Sequence, residues 1–307
     1  MQPGGARWIH SFEMNKTVGN AQQAAEYITK PLQERRQEAH KGRNWSGGEE
    51  KAPLHIYKYR HLETESENPE AKAALIRRAR DLVVHGLIWM SAPRQLNDPY
   101  DMRFRVQFGD HREELIRRQG HILNHLPPHE RMLRFEIIRR NKPTAADEMA
   151  IRANLEGRLG VFCASQDPRN EPMWAHYGAD HEGFCVQLRT IEDGIFLNLG
   201  KVNYTNTFPR IDIPMTTVNP PWLALKSKSV AWAYEREWRI CFDQNDFAFK
   251  LRPKVISGVI LGARASEATR AVIRQFNDER EAAGHPRFAL FRATQHPDRY
   301  GMRIVRA

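Results

Sequence analysis

The sequence predicts an α+β protein: a mixed, largely antiparallel sheet core with flanking helices and a basic helical insertion. Short runs such as 54–60 and 234–240 alternate with the two-residue period of strands. Segments such as 71–85 and 266–284 carry apolar residues at helical spacing. With 41% hydrophobic and 27% charged residues in 307, the chain has a globular composition and enough length for a sizeable core.

Residues 1–52 form a polar extension in which Pro31 interrupts a charged helical pattern and 42–48 reads as a linker. A single domain over 53–307 then opens with the strand 54–60, where Ile56, Lys58 and Arg60 share a face. The helix 71–85 repeats Leu75, Leu82 and Val83, and Gly86 is placed to end it. A strand at 87–90 leads to the turn Asn97-Asp98-Pro99, where Asp and Asn bond their own backbone and Pro fixes φ. The insertion at 102–158 reads as helical, with Arg117, Arg118, Arg131, Arg134, Arg139 and Arg140 around apolar positions. Strands follow at 160–165 and 183–188, separated by a short helix at 171–178. The prolines of 206–221 predict a loop, and 222–232 a helix running into the strand 234–240. A strand at 255–261, a helix capped by Ser266, and strands at 288–293 and 302–305 complete the sheet.

The formal charge is +10, with a pI near 9.7, which favours polyanionic partners. The 102–158 helices are the expected nucleic-acid contact. No apolar run approaches bilayer length and no secretory signal opens the chain, so the expectation is a cytoplasmic protein without membrane contact. Cys163, Cys185 and Cys241 lack paired metal-ligand spacing and read as reduced thiols.

In the strand 234–240, Glu235, Glu237 and Arg239 share one face, while Tyr234, Trp238 and Ile240 share the other with Arg236. Two carboxylates beside a guanidinium can orient a hydroxyl, act as base, or stabilise a developing cation; they also fit an ion-pair ladder. Trp174, His176, Tyr177, His181 and Phe184 crowd a short segment, as suits a pocket for a planar ring or an aromatic minicore. His176, Asp180 and His181 match no established metal pattern. Arg60 and Ser165 each end a strand. No Walker loop, Rossmann fingerprint or Gly-x-Ser-x-Gly elbow is present.

Several blocks occur in a recognisable order: Tyr57-Lys58-Tyr59-Arg60, Leu87-Ile88-Trp89-Met90-Ser91-Ala92-Pro93, Leu96-Asn97-Asp98-Pro99-Tyr100-Asp101, Val161-Phe162-Cys163-Ala164-Ser165, Met173-Trp174-Ala175-His176-Tyr177, His181-Glu182-Gly183-Phe184-Cys185, Lys226, Trp232-x-Tyr234-Glu235-x-Glu237-Trp238-Arg239-Ile240 and Val259-Ile260-Leu261-Gly262. Together they resemble the bacterial domain of unknown function 2971 family, which brings no settled activity. A more distant resemblance is to toxin-type ADP-ribosyltransferases, which carry Arg on a first strand, Ser ending a middle strand and Glu-x-Glu on a later one. Arg60, Ser165 and Glu235-x-Glu237 match that order, although Ser165 lies in Cys-Ala-Ser rather than Ser-Thr-Ser.

That resemblance implies a split sheet and NAD as substrate. Arg60 would hold the phosphates or ribose, Ser165 would support the nicotinamide pocket, and Trp174 or Tyr177 would stack on the ring. Glu237 would stabilise the oxocarbenium-like transition state and Glu235 orient the acceptor; His176 and Arg239 complete the cofactor-facing set. The implied function is a toxin or phage-defence effector modifying nucleic acid or protein. Its alternatives are a non-catalytic nucleic-acid-binding or partner-sensing module and a metal-dependent nuclease or hydrolase. Two expectations are sharp: Arg60, Ser165 and Glu237 converge on one cleft, their separation on opposite sheet faces discarding the ADP-ribosyltransferase reading built on those three residues, and Glu237→Gln abolishes activity while leaving stability nearly intact.

Overall fold

The structure is a computed structural model that describes residues 52–62, 68–108, 127–129, 132, 145–213, 222–242 and 244–307. Within them, 52–96, 158–202 and 231–307 form one compact unit, and 97–157 with 203–230 form another. The basic residues Arg117, Arg118, Arg131, Arg134, Arg139 and Arg140, and the extension 1–51, lie outside the described residues.

In the larger unit, the alternating run after Pro53 forms β1 (His55–Arg60). Helix α1 (Pro69–Val83) starts where Asn68 accepts from the Glu70 and Ala71 amides and Pro69 fills the first turn. Strand β2 (Leu87–Met90) follows Gly86, whose φ of 69° is the turn that its missing Cβ permits. The smaller unit contains β3 (Arg105–Phe108) and almost all of helix α2 (Ala145–Arg158).

The chain then supplies β4 (Gly160–Ser165), α3 (Glu171–Tyr177), β5 (Phe184–Arg189) and β6 (Leu199–Lys201) to the larger unit. To the smaller it gives β7 (Asn203–Thr205), β8 (Arg210–Ile213), α4 (Trp222–Leu225) and β9 (Ser227–Ser229). The larger unit finishes with β10 (Glu237–Phe242), β11 (Phe247–Lys250), β12 (Ile256–Leu261), α5 (Glu267–Ala282), β13 (Ala289–Gln295) and β14 (Met302–Arg306). Ser266 caps α5 by accepting from the Thr269 amide.

Eight strands pair in the order β14-β13-β12-β5-β1-β4-β10-β6. All neighbours are antiparallel except β12 and β13, which α5 connects as a parallel crossover. One face buries Ile56, Phe162, Val186, Trp238 and Val259 against Leu82 of α1 and Phe276 of α5. The reverse face carries a smaller cluster in which Tyr59, Cys185, Ile260 and Ala293 meet Trp174 of α3.

Four local expectations are corrected. Residues 105–108 are a strand, not part of a helical insertion, and pair in parallel with 210–213, which the prolines had marked as loop. Pro209 lies just outside that ladder, and its carbonyl accepts from the Arg105 amide, so its missing N–H costs nothing there. The helix expected over 222–232 ends at Leu225, and 227–229 is β9, parallel to β7. Finally, 230–235 is a 3-10 turn and β10 begins only at Glu237. Arg236, at φ 46°, breaks the extended backbone between the two glutamates.

Candidate functional site

Glu237 on β10 lies directly opposite Ser165 on β4, Ser165 opposite Tyr57 on β1, and Tyr57 opposite Gln187 on β5. Directly opposed residues share a sheet face, so these four side chains form one row. Arg60, three residues beyond Tyr57 in an unbroken register with β5, points to the other face. The expected convergence of Arg60 with Ser165 and Glu237 is therefore corrected. Burial and then the nearby Arg78 charge lower its pKa to about 10.

Ser165 is committed to the backbone. Its Oγ donates to the Glu235 carbonyl at 2.7 Å and accepts from the Asp167 amide at 3.1 Å. This lock ties the Glu235 backbone to the end of β4, where Ser165 lies opposite Glu237. Tyr59 Oη donates to the Asp167 carbonyl, and Asn170 Nδ2 to that of Tyr234, fastening the same two turns together.

Glu237 and Arg239 alternate onto one face of β10, where Arg239 Nε and Nη2 hold the two carboxylate oxygens at 2.8 and 3.0 Å. The Arg239 side chain is fully buried and that of Glu237 is 6% exposed. Glu235 is buried too, and its Oε1 accepts from Tyr177 Oη at 2.7 Å. Burial, then the Glu237 charge, pushes up the Cys163 thiol opposite Arg239; burial does the same to Cys185. Both therefore stay protonated and are poor nucleophiles.

The residue that strand alternation missed is Lys58. Strands β1 and β4 share only the Tyr57–Ser165 register pair, and further along β4 Val161 pairs instead with Ser91. Lys58 Nζ enters this parting of the strands, donating to the Cys163 carbonyl at 2.6 Å and lying 5.0 Å from the Phe162 ring centre. Burial, followed by the Arg60 charge, lowers its pKa to about 8, against the opposing pull of Glu237 and Glu235. The only sequence signal was a lysine set between two tyrosines of β1.

The aromatic residues divide. Trp174 is fully buried, donates Nε1 to the Pro168 carbonyl and meets Tyr59 edge-on at 5.1 Å, so it belongs to the minicore. His176 is exposed on α3, with ring centres of Tyr177 and Tyr234 at 6.4 and 6.3 Å, and Trp232 lies 6.0 Å from Tyr234. These rings, beside Glu235, can stack a planar group; Trp174 cannot reach one. Among the described residues, no group of three or more His, Cys, Asp or Glu side chains gathers as a metal site.

The segment from Trp174 to Arg239 thus contributes both carboxylates, the arginine that holds Glu237, the exposed His176 and the half-buried rings of Tyr177, Trp232 and Tyr234. Residues 173–240 match the family described as protein of unknown function (DUF2971). The DUF2971 match covers under a quarter of the chain and contains the Glu235–Glu237–Arg239 cluster but neither Lys58 nor Ser165. No curated protein and no solved structure matches the chain.

Proposed function

We propose that the chain is an NAD-consuming, ADP-ribosyltransferase-like enzyme that works through Glu237 and Glu235, with Lys58 in the role first expected of Arg60. The observation that carries this reading is the parting of β1 from β4. The strand bearing Ser165 sits between those bearing Lys58 and Glu237; Lys58 starts from the face of Arg60 and Phe162, and its ammonium reaches through the opening to the Cys163 carbonyl, where the charge of both carboxylates acts on it.

In the proposed reaction the bond from ribose C1′ to the nicotinamide nitrogen breaks, and its electron pair leaves with nicotinamide. Positive charge grows on the ribose, where the Glu237 carboxylate stabilises it. Arg239 fixes that carboxylate in advance. Glu235, oriented by Tyr177, takes the proton of the acceptor as it attacks C1′. Lys58 holds the pyrophosphate, and Tyr177 and Tyr234 border the nicotinamide ring. A toxin or defence role follows from NAD consumption, which would halt growth on expression.

The test is nicotinamide release and transfer of adenylate label from NAD, with protein and nucleic-acid fractions of a cell extract as acceptors. The wild type and Arg60→Gln should release nicotinamide, while Lys58→Met and Glu235→Gln should not. Absence of release and transfer with every fraction overturns the reading. Loss in Arg60→Gln with retention in Lys58→Met overturns the role given to Lys58.

A further inference from the structure

The β13–β14 hairpin takes no part in the NAD reading, and its chemistry points elsewhere. It forms one edge of the eight-stranded sheet, with β14 paired only to β13. From Ala289 to Ala307 it carries Arg292, Arg299, Arg303 and Arg306 against the single acid Asp298. Among the described residues, none of these four arginines forms an ion pair, whereas Arg264, Arg274 and Arg287 elsewhere on the surface all do.

Register fixes where the charges point. Arg292 lies opposite Val305 and Thr294 opposite Arg303, so Arg292 and Arg303 are diagonal neighbours on one face. The reverse face places Phe291, Ala293, Met302 and Ile304 in the Trp174 minicore, which prevents the hairpin from rolling. At the tip, the His296 amide donates to the Gly301 carbonyl, and Tyr300 is 98% exposed. Desolvation, then the Arg299 and Arg303 charges, lowers the pKa of His296, which places all three in one neighbourhood.

We infer that this hairpin is a docking arm for single-stranded nucleic acid, with Arg292, Arg299 and Arg303 meeting phosphates and Tyr300 stacking on a base. Like charges gathered on a fixed edge repel one another, and a polyphosphate strand relieves that repulsion by counterion release. The exposed phenol ring decides between polyanions. A flat aromatic side chain at the tip stacks on an unpaired base, which a duplex keeps within its own stack and an acidic peptide lacks.

The experiment uses the full chain and labelled oligo(U), with a duplex of equal length, followed by fluorescence anisotropy across a salt series. The single strand should bind more tightly than the duplex. Tyr300→Ala should weaken it about tenfold with an unchanged salt slope. Arg299→Glu with Arg303→Glu should weaken it further and reduce the slope by about 1.4. Melting curves matching the wild type establish that each variant is folded. Unchanged affinity in both variants, or tighter duplex binding, overturns the inference. So does equal competition by poly-glutamate or anionic vesicles, which would make the arm a contact for acidic protein or lipid. Oligonucleotide binding is measured without NAD, so it succeeds or fails independently of the proposed enzyme activity.

Discussion

Glu237→Gln, the obvious probe of catalysis, is expected to damage the fold as well. The Arg239 guanidinium is fully buried and spends both arms of its fork on the two Glu237 oxygens. Gln keeps the shape but loses the charge, and its amide turns an N–H toward a guanidinium that only donates. Breaking a buried pair from one side costs about 3 kcal/mol or more. For a unit of this size that lowers the melting temperature by roughly 6–12 °C. Arg239→Met, which leaves the carboxylate without its fork, should cost a similar amount. The double variant removes both charges together, so its cost should stay near about 3 kcal/mol rather than the sum of the singles, a coupling of about 3 kcal/mol. Urea and thermal unfolding of the four proteins measure this. Additivity within about 0.5 kcal/mol, or a Glu237→Gln variant within about 1 kcal/mol of wild type, would refute the reasoning.

Lys58 gives a pH prediction of definite sign. Its folded pKa of about 8 lies below the ordinary 10.5, so between those values the unfolded chain holds a proton that the folded chain has released. Stability should therefore rise with pH through that window relative to Lys58→Met, by at most about 1.4 kcal/mol per unit, and parallel unfolding series would show it. Gly262→Ala would bring its Cβ to 2.0 Å from the His181 carbonyl, so backbone must move and a loss above about 2 kcal/mol is expected. Gly157→Ala, on α2 with nothing within 4 Å, should instead stabilise by about 0.5–1 kcal/mol; melting curves compare the two. Arg280→Met removes bonds to the Val83, Pro253 and Pro286 carbonyls and should lower stability by at least about 3 kcal/mol by urea unfolding. A loss below about 1 kcal/mol would show that those carbonyls find other donors.

The sheet was legible where one strand face is buried, because burial imposes a two-residue period: β1, β4, β5 and β12 all lie within a residue or two of their expected spans. Short parallel pairs were not. Strands β3 and β8 meet across about a hundred residues; each is only four residues long, and β8 follows directly on Pro209. The site was half legible. Glu237 and Arg239 share a face as alternation requires, but Glu235 lies in the turn before a left-handed Arg236 that no glycine announces, and its carboxylate meets Tyr177. Alternation also put Lys58 and Arg60 together, correctly for the backbone. Only the parting of β1 from β4 separates their fates, and strand pairing of that kind depends on Ser91, seventy residues from its partner Val161.

A buried charge network is weak support for a fold, since apolar side chains of similar size serve a sheet as well. The opposite face of the same strands is built that way, from Trp238, Ile240 and Phe162. The Glu237→Gln, Arg239→Met double variant turns this contrast into a discriminating experiment. If it folds almost as well as either single and has lost nicotinamide release, the carboxylate acts in chemistry and not merely in packing. If it folds and still consumes NAD, Glu237 is not the group that stabilises the ribose cation, and Glu235 with Lys58 must carry the reaction. If all three variants unfold together, the ion pair belongs to the scaffold, and the proposed chemistry then stands or falls on Glu235→Gln and Lys58→Met, which leave that pair in place.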